Sequence, residues 1–125
     1  MKYEEFIANV RDDSSIDDRA HAERATAATL DVLGQRLAGG EPSDLASQLP
    51  AGLKELLDGH TGDAESFGVD EFCRRVAQRE GGRTSPDQAL EHARAVLATV
   101  ARSVSPGEVD NLRSQLPAGY AVLMQ

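Results

Sequence analysis

Few residues in this sequence have both the type and the spacing that chemistry requires. Its single cysteine, Cys73, is the only thiol available, and thiol catalysis needs a thiolate beside a base in an electropositive, partly open setting. When the two halves of the chain are aligned, Cys73 falls opposite Ile7 on an apolar stripe. That position predicts a small buried core residue. Arg74 and Arg75 follow directly, but neighbours along a helix point away from one another and need not act on the sulfur.

Metal ligation is the second chemistry to weigh. Asp17, Asp18 and His21 lie three and four residues apart near the start of a long helical stretch, and His92 follows Gln88 and Glu91 on its counterpart. Helical bundles build metal centres from Glu-x-x-His pairs on facing helices. At the offset of 67 that relates the two stretches, however, His21 falls opposite Gln88 and His92 opposite Ala25. No symmetric ligand set results, so no metal ligand and no cofactor are expected. His60 stands in a polar stretch without a histidine or cysteine nearby.

The carboxylate pairs Asp12-Asp13 and Asp17-Asp18 bracket Ser14-Ser15 at the start of a long helix, where the helix dipole favours negative charge. No catalytic residue is read from them. Gly39-Gly40 and Gly81-Gly82 sit where C-capping accounts for them, and neither a phosphate loop nor a nucleophile elbow is present. One charged cluster is left, formed by Arg74, Arg75, Arg79 and Arg83, a candidate anion patch.

The elements that must position these residues are legible from composition and repetition. The chain has 125 residues, suited to one domain, and a formal net charge of −8 that disfavours nucleic acid and anionic membranes as partners. Residues 1–62 carry six basic and twelve acidic side chains, and residues 63–125 seven and nine. One cysteine and no apolar leader lead us to expect a soluble cytoplasmic protein. Aromatic residues make up 4% and tryptophan is absent, so a ring-lined pocket has little material.

A repeat organises the whole. Gly40-Glu41 leads through Asp44-Leu45 to Ser47-Gln48-Leu49-Pro50-Ala51-Gly52, and Gly107-Glu108 leads through Asn111-Leu112 to Ser114-Gln115-Leu116-Pro117-Ala118-Gly119. Upstream, Glu5-Phe6 and Val10 match Glu71-Phe72 and Val76 at an offset of 66. The repeats run approximately over 1–58 and 67–125, with a polar linker at 58–66. Each copy reads as four helices. The stripes are Tyr3, Phe6, Ile7, Val10 and Val69, Phe72, Cys73, Val76, followed by Ala22, Thr26, Leu30, Leu33, Leu37 and Ala89, Ala93, Leu97, Val100, Val104, all at helical spacing. Ser85-Pro86-Asp87-Gln88 reads as a capping box with proline at the first helical position, and Ser105-Pro106 repeats the device. Pro50 and Pro117 force Leu49 and Leu116 out of helical geometry. The expected fold is all-α, about eight helices, a tandem duplication of a four-helix unit packed around an approximate two-fold axis.

The paired Glu-Phe starts and paired Leu-Pro-Ala-Gly ends, each after an alanine-rich helix, resemble the bacterial family called domain of unknown function 2267 over essentially the whole chain. The resemblance implies a small all-helical prokaryotic protein and supplies no catalytic residues. A last asymmetry bears on function. Leu53-Lys54-Glu55-Leu56-Leu57 in the first copy becomes Tyr120-Ala121-Val122-Leu123-Met124 in the second, so a polar helix face has become apolar. Either this segment is enclosed by its own chain or it offers Tyr120, Val122, Leu123 and Met124 to a second protein or subunit. The leading expectation is a non-enzymatic helical interaction module with a protein partner or as a homo-oligomer. The alternative is a small-molecule or anion-binding protein, or an enzyme, with its pocket at the junction of the repeats.

Overall fold

The long helices set the plan. In the computed structural model, which describes residues 1–37, 41–58 and 65–124, α1 (Tyr3–Asp12) leads to α2 (Arg19–Arg36), and two short helices follow, α3 (Glu41–Ala46) and α4 (Lys54–Asp58). The second half runs α5 (Val69–Glu80), α6 (Pro86–Ser103) and α7 (Pro106–Gln115), and ends in a 3-10 helix, Ala118–Leu123. The fold is all-α, with eight helices and no strand among the described residues. No helix among them is long and apolar enough to cross a membrane.

Helices α2 and α6 are each 18 residues long and form the centre. Helix α2 packs on α1, α4, α5 and α6, and α6 packs on α1, α5 and the terminal 3-10 helix as well. Elements of one half thus lie against elements of the other. The stripes read from the sequence point inward, with Phe6, Val10, Ala22, Thr26, Leu30 and Leu33 buried alongside Phe72, Val76, Ala89, Ala93, Leu97 and Val100. They join one apolar cluster that spans both halves. On α2 and α6, Thr26 and Thr99 satisfy their buried hydroxyls by donating to the carbonyls of Ala22 and Ala95, each at 2.8 Å.

Helix ends follow local chemistry. Ser85 and Gln88 form the reciprocal capping box, with Pro86 opening α6, and Ser105 Oγ accepts from the Glu108 N–H at 3.2 Å to start α7. Such caps contribute about 1 kcal/mol each. Leu116, ahead of Pro117, adopts φ −105° and ψ 139°, the extended geometry a following proline imposes. Gly81 and Gly82 end α5 at φ 76° and 67°, left-handed values that other residues rarely adopt. The glycine pair Gly39-Gly40, the core of the linker at 59–64 and His60 within it lie outside the described residues.

One element departs from expectation. The segment after Pro117 is a 3-10 helix, whereas α4 in the first half is an α-helix. Residues three apart eclipse in 3-10 geometry. Tyr120 and Leu123 therefore fall on the same side, and both are 1% exposed.

Candidate functional site

A cavity of about 600 Å³ opens where the α1–α2 and α5–α6 connections meet, lined by Ser15, Ile16, Asp17, His21 and Arg24 on one side and by Glu80 to Thr84, Gln88 and His92 on the other. Glu80, the last residue of α5, supplies its floor. The Glu80 side chain is wholly buried and that of His92 nearly so, while His21 is 30% exposed toward the opening. His21 Nε2 lies 3.0 Å from Glu80 Oε1, and His92 Nδ1 lies 2.9 and 2.8 Å from its two oxygens. A carboxylate only accepts hydrogen bonds, so each facing ring nitrogen bonds to it in the tautomer that carries its proton there. Thr84 Oγ1 donates to Glu80 Oε1 at 3.4 Å. The two imidazoles meet edge to face, with centroids 5.1 Å apart.

The elements explain this convergence. His21 sits in the first turn of α2 and His92 in the second turn of α6, so both project near the N-terminal ends of the central helices. The positive-φ pair Gly81-Gly82 folds the chain back immediately after Glu80 and keeps the carboxylate beneath the turn. Behind His92 stands Glu91, whose Oε1 lies 3.8 Å from His92 Nε2. Ser15 holds Glu91 from across the junction, its hydroxyl donating at 2.7 Å and its N–H at 3.1 Å. The Ser15 hydroxyl keeps the Glu91 carboxyl below its usual range, against a smaller opposing effect of burial.

Three donor atoms, His21 Nε2, His92 Nδ1 and a Glu80 oxygen, thus lie within 4.8 Å of one another. Sequence reasoning paired His21 with Gln88 and His92 with Ala25 and left Glu80 out. The histidines meet each other and a third residue instead. The signal that could have found Glu80 is its position, because a carboxylate in the last turn of a helix opposes the helix dipole and needs another reason to be there.

Three of the four arginines of the candidate anion patch are ion-paired within the chain. Arg74 pairs with Glu71 on its own helix, and Arg79 pairs with Asp31 of α2. Arg75 binds Glu71 at 2.9 Å and Glu65 at 3.1 Å, with its guanidinium 4.0 Å from the centre of the Phe67 ring. These three are neutralised within the chain, because an acidic protein offers carboxylates to each of them. Arg83 stands apart from them, in the turn lining the cavity. With Arg24 it forms an exposed pair for which no carboxylate among the described residues lies within ion-pair distance.

The expected interaction surface is also largely internal. Tyr120 donates from its hydroxyl to the Phe67 carbonyl at 2.6 Å and packs edge-on to Phe72 at 5.6 Å. Leu123 is buried, and Val122 and Met124 are half-buried against the core. The turn encloses Tyr120 and Leu123 in their own chain and leaves Ala121, Val122 and Met124 at least partly exposed. Cys73 is 5% exposed, and burial raises its thiol pKa, with Asp70 and Asp87 adding to the effect. Both effects disfavour the thiolate form.

No curated protein matches the sequence. The family pattern for uncharacterised conserved proteins does match, over residues 3–123, and with nearly the whole chain covered the protein belongs to that family, DUF2267.

Proposed function

We propose that the chain is a binding protein for small oxyanions, phosphate or carboxylate compounds, held in the cavity between α2 and the α5–α6 turn. The carrying observation is that Arg24 and Arg83 line this cavity without an ion-pair partner among the described residues, in a chain of net charge −8 that neutralises the arginines along α5. An exposed guanidinium offers a planar fork of donors that matches such anions. Gln88 and the exposed backbone of Gly81 and Gly82 add uncharged polar groups at the same opening. The cavity draws on both halves of the chain, where a duplicated architecture about an approximate two-fold axis would put a shared pocket. A lone buried cysteine accords with a reducing, cytoplasmic setting.

A protein-interaction module is the competing reading. The inward turn of Tyr120 and Leu123 weighs against it, since Val122 and Met124, each half-buried, would have to carry the contact. The test uses the full chain, stripped of metal, with inorganic phosphate, pyrophosphate and citrate as probes in a thermal-shift titration. A saturable rise in melting temperature is expected for at least one of them. Arg24→Ala and Arg83→Ala should each weaken that response about tenfold, in line with the loss of one charge-assisted contact, and Arg74→Ala should leave it unchanged. A flat response to all three probes, or equal weakening by Arg74→Ala, overturns the proposal.

A further inference from the structure

We infer that His21, Glu80 and His92 form a binding site for a divalent transition-metal ion of the zinc type. The inference stands apart from the oxyanion reading, since it concerns the floor of the cavity and needs no anion.

The donor set is the first ground. Two imidazole nitrogens and one carboxylate suit borderline cations such as Zn²⁺, and three protein ligands leave at least one coordination position open. Here that position faces the cavity, because His21 is the half-exposed member while Glu80 and His92 are buried. Magnesium, which prefers oxygen ligands and retains its waters, is disfavoured by the same set.

Electrostatics supplies the second ground. A wholly buried carboxylate at the C-terminal end of α5 adds its charge to the negative pole of the helix dipole. The charged side chains lining the cavity around it are Asp17, Arg24 and Arg83, all exposed, and none of the three reaches Glu80 within ion-pair distance. Its contacts are Thr84 and the two imidazoles. A bound cation would offset the cost of placing that carboxylate there.

The surroundings of the ligands are the third ground. To ligate through Nδ1, His92 must carry its proton on Nε2, and that nitrogen faces the Glu91 carboxylate at 3.8 Å. Glu91 is in turn fixed by two donors from Ser15. A metal-ligating histidine backed by a hydrogen-bonded carboxylate is the usual outer arrangement of such centres. A tetrahedral ligand set has edges of about 3.3 Å, so the present span of 4.8 Å has to contract. Rotation of the half-exposed His21 ring is the motion available for this.

The experiment is a competition titration of the full, untagged, chelator-stripped chain against a chromogenic zinc indicator, in a buffer free of phosphate and carboxylates. One equivalent of Zn²⁺ should bind with a micromolar or tighter dissociation constant, with no comparable binding of Mg²⁺. Co²⁺ should develop visible absorption bands that depend on both histidines. Removing a ligand should weaken binding at least as much as the roughly tenfold to hundredfold loss typical of outer-shell partners. His21→Ala is the decisive variant, because its side chain is partly exposed and its loss should leave the helical circular dichroism intact. Glu80→Gln and His92→Ala are read alongside it, and His60→Ala, which removes none of the three ligands, should bind as the parent does. Binding no tighter than millimolar, binding indifferent to His21→Ala, or binding abolished by His60→Ala would overturn the inference. With the buffer free of anions, a failure here leaves the oxyanion titration to be judged on its own result.

Discussion

The two connections that meet at the cavity do the same job with different means. Residues 13–18, between α1 and α2, turn the chain with side chains: Ser14 Oγ donates to the Val10 carbonyl at 2.8 Å and accepts from the Ile16 N–H at 3.2 Å, and Asp18 caps α2. Residues 81–85, between α5 and α6, turn it with backbone, through two glycines at positive φ and the Ser85 cap. The glycine turn leaves the space beneath it to Glu80. At the matching positions of the first half stand Ser14 for Glu80 and Ala25 for His92. Both connections line the cavity, yet Glu80 and His92 both come from the second half. Both connections make the space, and two residues of the second half supply most of its donor atoms.

The strongest way to break this comparison is to truncate the side chain at the equivalent position of each wall, Glu80 and Ser14, and compare the costs. Glu80→Ala deletes the common acceptor of two imidazoles and leaves His92, 4% exposed, with a buried donor unpaired. Leaving a buried polar group without its partner costs up to about 3 kcal/mol, a fall in melting temperature of roughly 10 °C for a chain of this size. Ser14→Ala loses local backbone bonds and should cost about 1 kcal/mol. Urea unfolding of both variants in metal-free buffer measures the two numbers. Equal costs would mean that Glu80 is no more than another turn residue, and that the asymmetry between the walls has no energetic content.

Much of this architecture was legible beforehand because its causes are local. The Ser85 capping box depends on four consecutive residues, and the extended Leu116 depends on the proline after it. The site was not legible, because its causes are distant: Glu80 and His21 are 59 residues apart. A register test that asks the two halves for symmetric ligands searches for two sites, whereas a cavity lined by both halves needs one. The arginines along α5 misled for the same reason. Spacing put Arg74, Arg75 and Arg79 on one segment, but only packing reveals that Asp31 arrives from α2 to pair with Arg79. Likewise the apolar composition of 120–124 was read correctly, and the inward side of the 3-10 turn decided what that composition does.

The tyrosines sharpen the contrast between halves at lower cost. Tyr3 ties α1 to α2 by donating to Glu23 Oε2 at 2.6 Å, whereas Tyr120 ties the C-terminal turn to the Phe67 carbonyl. Burial pushes the Tyr3 phenol up to about 12, and the bond to Glu23 adds to the shift. Burial also raises Tyr120, against a lowering effect of Arg36. The raised value favours the neutral phenol in the folded state, so Tyr3's contribution is whole below the unfolded value of about 10 and is lost as pH rises toward 12. Absorbance at the tyrosinate band should show neither residue ionising near pH 10 while the chain is folded. Tyr3→Phe should cost about 1 kcal/mol at neutral pH and flatten the alkaline decline. Ionisation of one tyrosine at its ordinary value in the folded chain would refute the anchoring role assigned to it.

The smallest effect expected lies on the acid side, where the first connection meets α6. Ser15 of the first connection holds Glu91 of α6, and its hydroxyl lowers the Glu91 pKa. A carboxyl lowered in the folded state stabilises above its unfolded value of about 4.3, and that contribution disappears as pH falls through the lower folded value. Glu91 is 48% exposed, so solvent screens the interaction and a few tenths of a kcal/mol is the most to expect. Ser15→Ala should therefore leave stability at pH 7 almost unchanged while shifting the Glu91 carboxyl resonance toward the ordinary range in a nuclear magnetic resonance titration. An unmoved resonance would mean that Ser15 does not hold Glu91, and the contact of His21 with Glu80 would then be what links the two walls of the cavity.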